Sequence, residues 1–230
     1  ADFDRHITAI ENDRAVRVVV VTAAGRAFCA GADLKEVLGS DGGLNPKRLL
    51  AFEQKAVGVM ARLAALPKPV IAALNGITMA GGIELALHCD LIIASEKARI
   101  GDGHINYGLL PGAGGASRLP RVIGPTRAKY LAFTGELVSA EEARQMGLVN
   151  EVVPAEQLSE RAGELANAIA RRSPSALRLF KQAIDEGLDQ PLANAMKLER
   201  LVTAEHLHSG DVQEGLAAFN EKRQPRFGNL

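Results

Sequence analysis

The chain has 230 residues, 47% hydrophobic and 23% charged, which suits one domain, or one domain with a small appendage, and excludes a disordered chain. Its 27 Lys and Arg balance 27 Asp and Glu, so it lacks the basic excess of a wholesale nucleic-acid or anionic-membrane binder. With no tryptophan and only 4% aromatics, stacking platforms for single strands are excluded as well.

The opening residues, Ala1-Asp2-Phe3-Asp4-Arg5, are acidic and polar and lack the form of a signal peptide. Val16 to Ala23 is β-branched and almost continuously apolar, which predicts a strand covered on both faces and ended by Gly25. Asn45-Pro46 starts a helix, with Asn as cap and Pro at the first helical position. Leu49, Phe52, Ala56, Met60 and Leu63 follow at helical spacing, and Pro67 and Pro69 close that helix. Val70 to Leu74 predicts a second buried strand, and Asn75-Gly76 a turn. After Gly81-Gly82, Ile83 to His88 predicts a short helix, and Leu91 to Ala94 a third buried strand. Asn75, Glu84 and Asp90 interrupt this apolar region, so it is not a membrane span. Strand and helix in alternation argue an α/β architecture.

The character changes near Pro154. Leu158, Ala162, Leu165 and Ile169 mark an amphipathic helix, and Ser173-Pro174 starts another, with Leu177, Phe180 and Ile184 on one face and Gly187 after it. Asp211 with Glu214 three positions on reads as a capping box. The expected division is residues 1–165 as the α/β core and 166–230 as an all-helical region, which would bury its face on the core or on another subunit.

Two cysteines, Cys29 and Cys89, are too few for a disulfide framework, so the expected compartment is a reducing one, the cytoplasm or a mitochondrial matrix. No Cys/His spacing fits a metal, and His206 and His208, two apart, point to different sides of a helix. Nucleophile and nucleotide motifs are missing too. Gly115-Ala-Ser117-Arg-Leu lacks the second glycine of a nucleophile elbow. Gly112-Ala-Gly114-Gly115-Ala-Ser117 is a near miss to a dinucleotide fingerprint that follows no clear strand.

Two segments carry a chemical signal. In Arg26-Ala-Phe28-Cys29-Ala30-Gly31-Ala32-Asp33-Leu34-Lys35, small residues let a ligand approach free backbone N–H groups, although a tight turn uses such residues equally well. In Asn75 to Ala86, a glycine pair opens a helix whose first turn carries Glu84 in apolar surroundings. Helix N-termini present unpaired N–H groups, and a desolvated carboxyl suits acid/base work; the same glutamate would also serve its own helix dipole. Two donors, one from each segment, would form an oxyanion hole on converging.

At these residues the chain resembles the crotonase superfamily, the enoyl-CoA hydratase/isomerase family. The match takes in Phe28 to Glu36, Lys68 to Leu87, Cys89-Asp90, Gly108 to Gly115, Thr134-Gly135, Ala143 to Val149 and Ser209 to Phe227. The resemblance implies a spiral of β-β-α repeats with a C-terminal helical trimerisation region, and a homotrimer or homohexamer. It implies oxyanion-hole amides at Ala32 and Gly81, holding the thioester oxygen of an acyl-CoA, and a first catalytic glutamate at Glu84. CoA contacts fall on Arg26, Ala30, Leu34, Lys35, Phe219 and Lys222, the last two from a neighbouring subunit. Coenzyme A enters as part of the substrate, and no permanently bound cofactor or metal is implied.

The chain departs from the family pattern where hydratases carry a second glutamate. Twenty positions after Glu84 stands His104. Histidine titrates near neutral pH and can serve as acid or base, so His104 becomes Glu84's expected partner. Asp102 would orient it or act itself, although residues two apart often face different ways. Hydration of an enoyl-CoA is the expected reaction. Isomerisation, hydrolysis or decarboxylation using His104, and a non-catalytic acyl-CoA-binding relative, are the alternatives. His88, one helical turn after Glu84, reads as a core histidine, and Cys29 as a small buried filler. Family members open with two strands and an adenine-binding loop, whereas this sequence begins in the helix that follows. On that pattern its CoA site is expected to be incomplete.

Overall fold

Among the described residues, strands β1 to β6 alternate along the chain between two four-stranded sheets. The structure is a computed structural model that describes residues 2–38 and 43–228. Helix α1 (Asp2–Asn12) precedes β1 (Val19–Val21), β2 (Ala27–Cys29), α2 (Pro46–Ala64), β3 (Val70–Leu74), β4 (Ile77–Met79) and α3 (Gly81–Ala86). Then come β5 (Leu91–Ser95), β6 (Arg99–Gly101), α4 (Gly115–Ile123), α5 (Pro125–Thr134), β7 (Val138–Ser139), α6 (Ala140–Met146) and β8 (Glu151–Val153). One sheet runs β1-β3-β5-β8 and the other β2-β4-β6-β7. From β1 to β6 the first strand of each pair therefore joins one sheet, the second joins the other, and a helix returns the chain; β7 then adds to the second sheet and β8 to the first. This is the expected spiral of β-β-α turns. Pairing is parallel from β3 to β5 to β8 and from β2 to β4 to β6, and antiparallel from β6 to β7.

All of β3 is buried, as suits a central strand with neighbours in its sheet and cover on both faces. The strand expected over Val16 to Ala23 is shorter. Only Val19–Val21 pair, and Val20 is exposed, because β1 lies at the sheet's edge. Leu74, Ile83, Ile100, Leu119 and Leu131, each at most 1% exposed, form the centre of one core. Helix starts follow local chemistry. The Asn45 side chain accepts from Arg48 N at the head of α2, and Ser139 with Glu142 forms a reciprocal capping box on α6. Of the apolar stripe on α2, only Leu63 is fully buried, and Phe52 remains exposed.

The chain forms two compact units. The first comprises Ala1–Ile7, Val20–Ala65 and Val70–Gly163; the second comprises Thr8–Val19, Leu66–Pro69 and Glu164–Leu230. After α7 (Leu158–Ala170), the second unit holds α8 (Pro174–Gly187), α9 (Leu192–Leu207) and α10 (Gly210–Asn220). Its buried Lys68 donates to the carbonyls of Ile10 and Asp13 at 2.5 and 2.7 Å, which ties separate stretches of sequence together. The capping box expected at Asp211 does not form. Ser209 caps α10, and Asp211 instead accepts from the hydroxyls of Ser173 and Ser175 at the head of α8. No helix among the described residues is long and apolar enough to cross a membrane.

Candidate functional site

The 26–35 and 75–86 segments lie against each other through glycine. Gly31 has φ +102°, and a Cβ there would stand 3.7 Å from Gly81 N; a Cβ at Gly81 would stand 3.6 Å from Gly31 Cα. At Gly82 a Cβ would reach 2.0 Å from the Cys29 carbonyl oxygen, so only glycine admits this approach of α3 to the end of β2. Between them Ala80 takes φ +52°, a conformation that costs a non-glycine residue about 1–3 kcal/mol. Its N–H donates to the Asp102 carbonyl at 2.6 Å, and its own carbonyl accepts from Ile83 and Glu84. The N–H groups of Ala32 and Gly81 donate to no other group among the described residues. Two free donors thus belong to adjoining turns, as an oxyanion requires.

Glu84 sits on the first turn of α3 and is 3% exposed. Its Oε1 accepts from Ala113 N at 2.7 Å and Gly115 N at 3.0 Å. Gly114, with φ +108°, turns these two amides onto one oxygen. The glycine run that reads in sequence as a near miss to a dinucleotide fingerprint therefore holds a carboxylate. Oε2 lies 3.9 Å from Nε2 of His104.

His104 is positioned by Asp102. Gly103, at φ +69°, reverses the chain so that Asp102 Oδ1 accepts from both the His104 backbone N–H, at 3.1 Å, and Nδ1, at 2.9 Å. The expectation that residues two apart diverge fails here because an Asx turn brings them together. Oδ1 only accepts, so Nδ1 carries a proton and Nε2 faces Glu84. Burial opposes charging of the ring, but the Asp102 hydrogen bond and the charges of Asp102, Glu84 and Glu53 outweigh it. The His104 pKa therefore lies above its ordinary value. Glu53 reaches the site from α2, with its carboxyl carbon 2.9 Å from where a Gly112 Cβ would lie. His88 is buried and donates from Nδ1 to the Glu84 carbonyl at 2.8 Å; burial lowers its pKa and keeps it neutral.

The sequence profile of the enoyl-CoA hydratase/isomerase family matches residues 1–229. The chain belongs to that family. It is 42% identical over 226 residues to mouse enoyl-CoA hydratase domain-containing protein 2, mitochondrial, covering 96% of this chain and 75% of that protein. It is 39% identical over 229 residues to the short-chain-enoyl-CoA hydratase of Clostridium acetobutylicum, covering 97% and 84%. Among solved structures, the enoyl-CoA hydratase of Bacillus anthracis superposes with a TM-score of 0.93 at 43% identity, covering 98% of this chain and 86% of that one.

The fold thus brings together, in this enoyl-CoA hydratase/isomerase family member, Ala32, Gly81, Glu84 and His104 from separate parts of one unit. Arg26, Ala30, Leu34 and Lys35 lie exposed along the segment that carries Ala32. That segment is anchored by Asn75 Nδ2, which donates to the carbonyls of Gly25 at 3.1 Å and Ala27 at 3.4 Å. Phe219 and Lys222 are exposed in the second unit, at the end of α10. Glu214, on α10, holds Arg223 through both carboxyl oxygens and accepts from Arg226 N, which organises the chain around Lys222. Sequence reasoning missed the amides of Ala113 and Gly115 as carboxylate donors. It also missed Glu53, for which α2's apolar spacing carried no signal. Among the described residues, no three His, Cys, Asp or Glu side chains are disposed to hold a metal ion.

Proposed function

We propose that this protein is an enoyl-CoA hydratase that adds water across the 2,3 double bond of an enoyl-CoA thioester. The observation that carries this reading is the pairing of Glu84 Oε2 with His104 Nε2 at 3.9 Å, in the unit where the free N–H groups of Ala32 and Gly81 belong to adjoining turns. In the proposed mechanism the thioester oxygen lies between those two N–H groups and becomes an enolate there. Glu84, fixed through Oε1, uses Oε2 to take a proton from the attacking water, and His104 supplies the proton for the α-carbon. Arg26 and Lys35 face the CoA phosphates, with Ala30 and Leu34 beside the pantetheine arm.

Phe219 and Lys222 meet the adenine end from a neighbouring subunit of a homotrimer or homohexamer. Support for assembly comes from Phe180, Leu188, Leu192 and Leu201, large apolar side chains exposed on the helices of the second unit. The half-buried Cys29 and Cys89, neither in a disulfide, suit a reducing compartment, cytoplasm or mitochondrial matrix.

The test is purified protein with crotonyl-CoA and with longer and aromatic enoyl-CoAs, read as loss of the conjugated thioester's absorbance and by product mass. Hydration of at least one supports the reading. A shifted double bond or thioester cleavage would transfer the same residues to isomerisation or hydrolysis. Binding by calorimetry without any turnover would make this a non-catalytic acyl-CoA-binding relative. Light scattering of the pure protein reads the assembly, and a monomer would overturn the subunit-shared CoA site.

A further inference from the structure

We propose that Asp102 and His104 work as a single proton donor with no net charge, Asp102 as positioning residue and His104 Nε2 as the atom that protonates the α-carbon. This rests on the hydratase reading above and assigns to Asp102 the charge that balances the donating ring.

The geometry carries the proposal. Asp102 is 3% exposed, and its Oδ1 holds His104 at two points, backbone N–H and Nδ1. Its carbonyl meanwhile accepts from Ala80 N, next to the free Gly81 N–H. One buried residue thus braces both the imidazole and the turn that offers the oxyanion donor. The charges acting on the ring are carboxylates from three places: Asp102 on its own loop, Glu84 on α3 and Glu53 on α2. Asn106, on the same loop, donates to the Gly135 carbonyl just beyond α5, a neutral contact. A lone imidazolium would add a positive charge where a hydratase of this family holds a second carboxyl. Paired with Asp102, the charged ring sums to zero, as a protonated carboxyl does.

The cycle then balances. Water oxygen bonds to C3 of the enoyl thioester while its proton passes to Glu84 Oε2. The C2–C3 π electrons move to the thioester oxygen as an enolate. The enolate returns them to C2, which takes the proton from His104 Nε2. Glu84 is left protonated and His104 neutral, and one proton crosses the 3.9 Å from Oε2 to Nε2, directly or through a water, to restore both. One water has been added and nothing else consumed.

The experiment is ¹⁵N NMR titration of the histidines in the wild-type protein, with His104 assigned through its backbone, beside pH profiles of kcat and KM for the wild type and Asp102→Asn. The expected midpoint of the ring lies above histidine's ordinary 6.5. Its neutral form keeps the proton on Nδ1. In Asp102→Asn, whose amide oxygen can still accept from Nδ1, the midpoint falls, and the basic limb of kcat moves down in step. A wild-type midpoint at or below 6.5, or a neutral ring protonated on Nε2, overturns the proposal. So does an Asp102→Asn ring and kcat profile that do not move.

A second comparison is independent of the titration. His104→Glu alone crowds two carboxyls, whereas Asp102→Asn with His104→Glu restores the charge count and should be about tenfold or more faster than the single variant. A single variant as fast as the double overturns the pairing. The titration needs no substrate, so an absence of hydration by the wild type would overturn the function beneath the proposal, distinguishably from a ring that fails to behave.

Discussion

Glu84 Oε2 and His104 Nε2 face each other across 3.9 Å, and the far end of each group is tied down, Glu84 by the amides of Ala113 and Gly115 and His104 by Asp102. The holding is done largely by backbone donors and one buried carboxylate. The anchoring fixes the orientation of the two facing atoms.

Glu84→Gln tests the base. The amide oxygen can still accept from Ala113 and Gly115, so the fold should be retained, checked by circular dichroism. The kcat for hydration should fall by about 10² to 10⁴, the usual contribution of a positioned general base. Full activity would remove Glu84 from the mechanism.

The charge on His104 should be visible in stability. The folded pKa is raised above 6.5. A protonated ring therefore binds its proton more tightly in the folded state. The resulting stabilisation is complete below the unfolded value of 6.5 and is lost as pH rises through the higher folded value. The stability of the wild type relative to His104→Asn, from urea midpoints, should be greatest at acid pH and shrink on going alkaline. The opposite slope would mean that burial wins.

Gly82→Ala and Gly58→Ala should differ in sign. A Cβ at Gly82 would strike the Cys29 carbonyl at 2.0 Å, so Gly82→Ala should cost about 3 kcal/mol and separate the two turns, with loss of turnover. Gly58, inside α2, has open space around it, so Gly58→Ala should stabilise by about 0.5–1 kcal/mol. Chemical denaturation of both variants decides this.

Glu214 should matter only above acid pH. Its hydrogen bonds with Arg223 and the Arg226 amide hold its carboxyl at about 2, against an ordinary 4.5. A depressed folded value gives stability that is present above 4.5 and lost as pH falls toward 2. Melting curves of wild type and Glu214→Gln should therefore differ at pH 7 and converge in acid. The contact is exposed, so the difference should be small. On the CoA contact proposed for Lys222, CoA-ester affinity should weaken in the variant.

Part of the site is legible in the amino-acid sequence. The pair Gly81-Gly82 ahead of Glu84 marks a helix start that carries an acid, because glycine permits the close approach and helix ends leave N–H groups free. His104 stands out through the resemblance, as the departure from a second glutamate. Ala113 and Gly115 are not legible in their role, since a glycine run that points its amides at a phosphate reads the same as one that points them at a carboxylate. Asp211 misleads for a similar reason. An Asp three before a Glu has the form of a cap, yet its oxygen serves Ser173 and Ser175, which lie far away in sequence.

What the sequence by itself determined was whatever depends on neighbours within a few residues: the buried run Val70–Leu74, the Asn45-Pro46 helix start, the glycine turns, and a charge balance that leaves room for only local cations. The opening balance of 27 against 27 turns out to say little about the site, whose acidity is concentrated in Asp102, Glu84 and Glu53. Only the tertiary structure decided which oxygen of Glu84 is free and which nitrogen of His104 faces it. Those choices are set by distances of about one hydrogen bond between segments that the two sheets bring together, and such distances have no counterpart in sequence spacing.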